Sequence, residues 1–566
     1  MEVYIRGTKN KINLNKNDFV TKGGEASIFI RQGLVFKIYH DSKNMIKEAK
    51  IQELNALNTP NIVRPLDILL DSKNKPVGFT MAEIKNAVPL CKLFTNDFWN
   101  RNGITSGKIK TITDEIRKTI SFIHERDGYL IVDGNEFNYL IDQNFKIPYF
   151  IDVDSYQTPS YSATAIMPSI QDYHSNSFSC LTDWYAFGIV SFQLFAGIHP
   201  YKGRHPDFKR NDLEGRMRSN ISVFNNKTSL PSAVRNLDTA IPKNYRFWYL
   251  EIFENGIRTN PPEFAGDITI ITVPISLVGN ADDFIIKEIA KFKSDILYYN
   301  KIAGNEVVKL RDNSLYINSK QYLFRGEVIF SPKTRTPHFV GINNNYLQIH
   351  GQATGKSIIK NPVFAENIMV INDHIYIKSM DKIIEIAINE TTIDNCVPYV
   401  KMSMNILPKA TTFFSNVIYQ NILGVPHFNI PQPSETGHSS MFTVQTKELD
   451  GYKIIDAKYL NRVLVVTTHR NNQYHRFIFR FTENHNEYNV RKIEDILYCG
   501  INFAVMDNGV VVIIQPDDSL EAMINDPNNT KIRRFENVDS NMKLHSVGNK
   551  IFFTKSNKLF SLSIKT

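Results

Sequence analysis

Tyr129-Leu130-Ile131-Val132-Asp133-Gly134-Asn135-Glu136-Phe137-Asn138-Tyr139-Leu140-Ile141-Asp142 sets an Asp and an Asn five residues apart between two apolar runs. A further apolar strand, Pro148-Tyr149-Phe150-Ile151, then delivers Asp152-Val153-Asp154. Phosphoryl transfer needs a group that accepts or orients the nucleophile's proton, and oxygen ligands that hold Mg²⁺ against the phosphates. Asp-x-x-x-x-Asn, followed by an apolar strand and an Asp, supplies both.

Toward the N-terminus, Val20-Thr21-Lys22-Gly23-Gly24-Glu25-Ala26-Ser27-Ile28-Phe29 reads as a glycine-containing turn between two β runs. Gly23 and Gly24 there let backbone amides approach phosphates closely, although a plain hairpin turn carries the same signature. The next run, Val35-Phe36-Lys37-Ile38-Tyr39, sets a lone lysine within an apolar strand. Buried, Lys37 requires an anionic partner; on a solvent face it requires none. The helical segment that follows, about Asn44 to Leu57, offers Glu48 and Glu53. Glu48 is the better candidate, because Ala49, Ile51 and Leu54 after it form the packing face.

On these residues the chain resembles the protein kinase superfamily over about residues 15 to 265. It is most similar to the bacterial and phage kinase-like proteins whose magnesium motif reads Ile-Asp-x-Asp-Ser, here Ile151-Asp152-Val153-Asp154-Ser155. Some of those accompany tellurite-resistance gene clusters. The resemblance implies ATP and Mg²⁺ as cofactors, with Gly23 and Gly24 in a phosphate-covering loop and Lys37 on the phosphates, paired with Glu48. It implies Met81, Glu83 and Ile84 along the nucleotide, Asp133 as the catalytic aspartate, and Asn138 and Asp152 as magnesium ligands, with Asp154 a second or alternative one. Thr182-Asp183-Trp184-Tyr185-Ala186-Phe187-Gly188 resembles the start of the family's central large-lobe helix, whose Asp, here Asp183, anchors the catalytic loop.

The pattern departs from the family in three places. Ile131-Val132 replaces the usual His-Arg, so no cation stands ready for a phosphorylated activation loop. Asn135 stands where Ser/Thr-specific kinases carry a Lys. The segment ending near Met167-Pro168-Ser169 lacks the usual Glu, although Arg258, its expected partner, is present. His124, ending the helix before the loop, reads as structural, and His469 and His475 have no carboxylate or Cys at ligand spacing.

Beyond about residue 265 helical periodicity nearly disappears and short alternating runs take over. Asn372-Asp373-His374-Ile375-Tyr376-Ile377-Lys378-Ser379-Met380-Asp381-Lys382-Ile383 matches Asn549-Lys550-Ile551-Phe552-Phe553-Thr554-Lys555-Ser556-Asn557-Lys558-Leu559, both reading as hairpins. Weaker copies begin near Asn313, Asn416, Asn461 and Asn508. Their spacing of roughly 40 to 60 residues is that of one propeller blade. The expected fold class is therefore multidomain, with an α+β two-lobed protein-kinase-like domain over about 1–265 (small lobe about 1–84, large lobe about 85–265). An all-β domain follows over about 266–566, a β-propeller of about six blades; a pair of β-sandwiches is the alternative.

A length of 566 residues fits more than one core. The apolar fraction of 42% and charged fraction of 22% exclude a largely disordered or collagen-like chain. A net charge of +9 is spread without dense runs, Lys9, Lys11 and Lys16 being typical, so a nucleic-acid partner is not expected. Cysteines at 91, 180, 396 and 499 are too scattered for a disulfide framework or zinc site. The N-terminus lacks a signal-peptide core, and the longest apolar stretch, Tyr185 to Ile198, falls short of the roughly 20 residues of a membrane span. A cytoplasmic location without membrane contact is expected.

Three functions compete. The first is a protein kinase, acting on Ser or Thr hydroxyls, whose propeller recruits a protein substrate or partner. The second is a pseudokinase scaffold in which the propeller carries the function. The third is a small-molecule phosphotransferase, since antibiotic and choline kinases share the Asp-x-x-x-x-Asn spacing and a later Ile-Asp. By resemblance, a von Willebrand A-like protein and a metal-dependent protein phosphatase are the partners to expect.

Overall fold

The structure, a computed structural model, describes residues 1–8, 11–163, 165–209, 212–264, 284–302, 304–351, 357–359, 361–392, 395–434, 437–471, 473–497, 500–524, 531–536 and 538–564. Lys9, Cys499 and the expected boundary at 265–266 lie outside them. The chain is a mixed structure with few helices and many antiparallel sheets.

The first sheet has seven strands: β1 (Glu2–Ile5), β2 (Lys11–Asn13), β3 (Phe19–Lys22), β4 (Ala26–Arg31), β5 (Leu34–Tyr39), β6 (Ile68–Leu70) and β7 (Pro76–Ala82), in the order 2-1-6-7-5-4-3. Sequence periodicity predicts four or five. The added hairpin, β1 with β2, is short and charge-rich, and only Val3 of its two strands is fully buried, so alternation there is weak. The run from Ile62 contributes only its last three residues as a strand.

Strand β5 is flanked by β4 and β7, and its alternation decides the site. Phe36 and Ile38 join Val3, Leu14 and Leu69 in one apolar cluster. Val35 and Tyr39 belong to the opposite face, with Phe79, Met81 and Ile51 of helix α1 (Glu48–Leu54). A side-chain period of two places Lys37 on that second face.

Helices α2 (Asn96–Asn102), α3 (Ser106–His124) and α4 (Cys180–Ala196) follow, with β8 (Val88–Pro89), β9 (Tyr139–Ile141) and β10 (Pro148–Phe150) in a small sheet. The isoleucines at 109, 112, 116, 120 and 123 bury one stripe of α3, at the spacing the sequence predicts. Helix α4 is buried on all sides from Thr182 to Ala196, which explains its unbroken apolar run. Gly188 is required there: an added Cβ would lie 2.5 Å from Ile252 Cδ1 of helix Lys243–Phe253. No helix among the described residues is long and apolar enough to cross a membrane.

From Phe284 onward the described residues hold seven small sheets, where the spacing predicts about six units. Six have four strands and one, Glu327–Gly351, has three. That sheet is the unit the sequence pattern passes over, yet its turn carries the same signature, since Asn344 and Asn345 have φ of 48° and 62°. Asn313, Asn372, Asn416 and Asn461 take the same left-handed conformation at their own turns, a geometry Asn tolerates better than most residues. The two matched segments are hairpins in equivalent register, Ser379 opposite Lys382 and Lys555 opposite Lys558.

Each sheet shares an apolar cluster with the next, from Leu559 with Val308 through Val417 with Leu464 to Val463 with Phe503. The series closes on itself. Strand Phe284–Lys291 pairs with Lys558–Ile564, and this sheet packs against that of Phe503–Phe535 through Phe284, Leu544 and Val512.

The sheet series also meets the rest of the chain. Ile455, Tyr474 and Ile496 lie in the same buried cluster as α3 and α4. Ser232 Oγ donates to Asp518 Oδ1 (2.8 Å), Lys543 Nζ pairs with Asp97 at 3.2 Å, and Lys409 Nζ donates to the Ile30 carbonyl at the end of β4.

Candidate active site

Lys37, its side chain 13% exposed, leaves β5 on the face opposite Phe36 and donates to Asp154 Oδ2 at 2.7 Å and Asp152 Oδ1 at 3.0 Å. Burial opposes its charge, but Asp154 and Asp152 outweigh burial and hold the ammonium group above the usual lysine range. Tyr39, two residues along the same face, donates its hydroxyl to Asp154 Oδ2 at 3.0 Å. Lys50 Nζ reaches the Asp154 carbonyl at 2.8 Å. Burial lowers the pKa of Lys50, with Asp154 partly offsetting it. The Oδ1 atom of Asp154 is buried and has no hydrogen-bond partner.

Glu48 does not pair with Lys37. It forms a solvent-exposed ion pair with Arg6 next to β1. The reason is helical phase: Lys50, Ile51 and Leu54 form the buried stripe of α1, and Glu48 lies two residues, about 200°, around from Lys50. Glu53 accepts from the Ser160 amide at 3.3 Å instead. The anionic partner of the strand lysine thus comes from the loop after β10.

Asp152, two residues beyond β10, has φ of 59°, a left-handed conformation, and a 3-10 turn over Val153–Ser155 follows. Burial, then the Asp154 charge, push the Asp152 carboxyl up, against the lowering effect of Lys37. Its side chain stays 42% exposed.

Asp133 lies in the loop before β9. Its Oδ1 accepts from the Met167 amide at 2.8 Å, and its Oδ2 accepts from Asn135 Nδ2 at 3.0 Å and Asn138 Nδ2 at 3.3 Å. Asn138 Nδ2 also donates to the Asp133 carbonyl at 2.8 Å. The loop is fixed from beneath by Asp183 in the first turn of α4, whose Oδ2 and Oδ1 accept from the Ile131 and Val132 amides, each at 2.8 Å. Val132 has φ of 63°, costly for a β-branched residue, and the Asp183 carboxylate holds it there. His124 Nε2 completes the clamp at 2.9 Å from Asp183 Oδ2.

Gly23 and Gly24 form the turn between β3 and β4, closed by Gly23 N–H to the Ala26 carbonyl at 2.9 Å. Neither glycine has a positive φ, and a Cβ added at Gly24 would meet nothing within 4 Å. The fold itself does not demand glycine there. Met81 on β7 stands opposite Val35, Ile84 packs near it, and the Glu83 amide donates to the Gly33 carbonyl at 3.0 Å.

Mg²⁺ is commonly held by one or two protein oxygens together with substrate phosphates and water. Asn138 and Asp152 fit that sparse set: the Asn138 amide nitrogen is turned to Asp133, leaving Oδ1, and Asp152 keeps Oδ2 beside its bond to Lys37. Among the described residues no group of three or more His, Cys, Asp or Glu is placed to hold a metal by itself.

Sequence reasoning misses Tyr39 and Lys50, although the strand period from Lys37 points to the first. It also misses Asp172. This residue accepts from Arg258 Nε and a terminal guanidinium nitrogen, both at 2.7 Å. Burial alone would raise the Asp172 carboxyl, and the hydrogen bond and charge of Arg258 bring it below the usual carboxylate range. Arg258 therefore has its acidic partner, displaced a few residues from the position where the Glu is missing.

No family model matches the chain, and no curated protein matches it. Among solved structures, the Cydia pomonella granulovirus kinase PK-1 aligns over 43% of this chain and 87% of its own, at 14% identity and a TM-score of 0.32. A Kluyveromyces lactis Hsv2 structure aligns over 48% of this chain and 98% of its own, at 10% identity and a TM-score of 0.32. Neither likeness reaches the level at which fold or function transfers.

Proposed function

We propose that the chain is an ATP-dependent phosphotransferase of the protein-kinase type, joined to a seven-bladed β-propeller. The single observation that carries this reading is the meeting of two separately built parts, Lys37 anchored on Asp152 and Asp154 and the Asp133 and Asn138 loop braced by Asp183, joined where the Ile151 amide donates to the Asn138 carbonyl at 3.0 Å. Bound Mg²⁺ would supply charge neutralisation of the polyphosphate, held by Asn138 and Asp152. Lys37 contributes a fixed cation, Gly23 and Gly24 leave room for the phosphates, and Asp133 takes the acceptor hydroxyl's proton. Asp154 serves as the ion-pair partner of Lys37 in place of a helix glutamate. Asn135, whose Nδ2 donates to Asp133 Oδ2, orients that carboxylate.

The acceptor proposed is a protein hydroxyl, because the Asp172 to Arg258 pair retains a braced segment after the magnesium motif. The test is transfer from labelled ATP with Mg²⁺, to the protein itself or to casein, by wild type and by Asp133→Ala. Label on protein that disappears in the variant supports the reading. No transfer, together with no nucleotide-dependent thermal shift, overturns it.

A further inference from the structure

Glu136 and Phe137, two of the four residues between Asp133 and Asn138, are covered by the sixth sheet of the series. That sheet comprises Lys453–Leu460, Val463–Arg470, Gln473–Phe481 and Tyr488–Ile496. Phe137 packs against His469 with ring centroids 4.3 Å apart and the rings tilted by 47°, and the Tyr474 ring centroid lies 6.1 Å from it. Lys453 Nζ sits 4.1 Å over the same ring. Glu136, 5% exposed, accepts from the Tyr474 hydroxyl at 3.3 Å, and Tyr474 belongs to the core shared with α3 and α4. Every one of these contacts lies more than three hundred residues along the chain from the loop.

We propose that His469, Tyr474 and Lys453 are positioning residues for the catalytic loop, so that the sheet series is a part of the phosphotransfer site rather than only a recruiting module. Asp183 fixes the loop at Ile131 and Val132, before Asp133; nothing in that clamp restrains the stretch from Asn135 to Asn138. The sixth sheet supplies the second hold. With Phe137 packed against His469 and Lys453, and Glu136 tied to Tyr474, the arc that begins at Asp133 is held at a second place, just before Asn138. The spacing of the Asp133 carboxylate and the Asn138 amide oxygen is then set. Displacements on the order of 1 Å between reacting groups cost about a hundredfold in rate, so such a hold acts on the chemical step. The same arrangement gives a physical reason for the missing His-Arg pair. A loop braced by its own chain needs no phosphorylated segment to order it.

This inference rests on the phosphotransferase reading, and two measurements on the full chain separate them. The first is amide hydrogen exchange across residues 131–138, which needs no activity. The second is steady-state transfer from labelled ATP to casein. In His469→Ala, exchange in that segment rises about tenfold. Turnover (kcat) falls about tenfold or more while the KM for ATP changes less than about twofold. His469→Phe, which restores an aromatic ring against Phe137, returns both to near wild type. Tyr474→Phe, which removes one oxygen, gives a smaller change in the same direction and stands in if His469→Ala fails to fold. Unchanged exchange and unchanged kcat in both His469→Ala and Tyr474→Phe overturn the inference, as does a rise in KM alone. If wild type transfers no phosphate, the phosphotransferase reading fails, and exchange alone decides whether the sheet holds the loop.

Discussion

Asp154 accepts from Lys37 at 2.7 Å, and it does so from the loop after β10, not from the helix where an acidic partner is expected. Glu48 on that helix is bound to Arg6 in solvent. The two acids therefore differ in the effect of losing their charge. Asp154→Asn leaves a largely buried ammonium short of an anion and lowers stability by about 3 kcal/mol. Glu48→Gln breaks an exposed pair and changes stability by about 0.5 kcal/mol or less. Urea unfolding of both variants beside wild type measures the contrast, and equal shifts would contradict the pairing.

The clamp beneath the Asp133 loop predicts a graded response at Asp183. Asp183→Ala removes the acceptor of two buried amides and of His124, and destabilises by about 3 kcal/mol or more. Asp183→Asn retains one acceptor oxygen and costs less. In both variants the Ile131 and Val132 amides lose their protection, which exchange resolved to single residues can record.

His199 sets a pH dependence. It is buried, its Nε2 bonds the Ser169 carbonyl at 2.8 Å, and its Nδ1 accepts from the Tyr201 amide at 3.2 Å. Both ring nitrogens are thus satisfied in the neutral form. Burial pushes its pKa down to about 3. Below about pH 6.5 the unfolded chain binds a proton at this site that the folded chain refuses. The contribution of neutral His199 is complete above about 6.5 and declines toward about 3, at about 1.4 kcal/mol per pH unit. Unfolding free energies from pH 7 down to pH 4, for wild type and His199→Gln, should differ in slope over that window.

Gly78 on β7 lies against β5 at the level of Lys37. A Cβ there would fall 2.0 Å from the Lys37 carbonyl oxygen, and backbone cannot yield as a side chain does. Gly78→Ala should displace β5 and destabilise by about 3 kcal/mol or more. Circular dichroism melting tests it, and a neutral outcome would mean that β5 and β7 are not packed as described.

The central parts of the candidate site are legible in the sequence because they sit on strong local patterns. Lys37 interrupts an apolar strand, Asp133 and Asn138 hold a fixed spacing, and Asp152 follows an apolar run. Asp183 is legible for the same reason, opening a helix buried on all sides. The partner of Lys37 is not legible, because helical phase turns Glu48 outward by rotation that the pattern Ala49, Ile51, Leu54 does not settle. Asp172 escapes notice because it performs a glutamate's ion pairing from a different position. The three-stranded sheet Glu327–Gly351 is missed because Gln348 interrupts the apolar run after its turn, although Asn344 and Asn345 mark that turn. The contacts of Glu136 and Phe137 with Tyr474 and His469 have no local signature at all.

The ring of sheets is closed by pairing Phe284–Lys291 with Lys558–Ile564. These two strands lie 270 residues apart at Glu288 and Lys558, so the junction cannot pair before Lys558–Ile564 is made, after the strands around Lys37 and the loop around Asp133. Until then Phe284–Lys291 has an unpaired edge, and the sheet that covers Phe137 belongs to an open arc. A chain interrupted before Lys558 would carry every residue of the candidate site and still lack the strand pairing that closes the series.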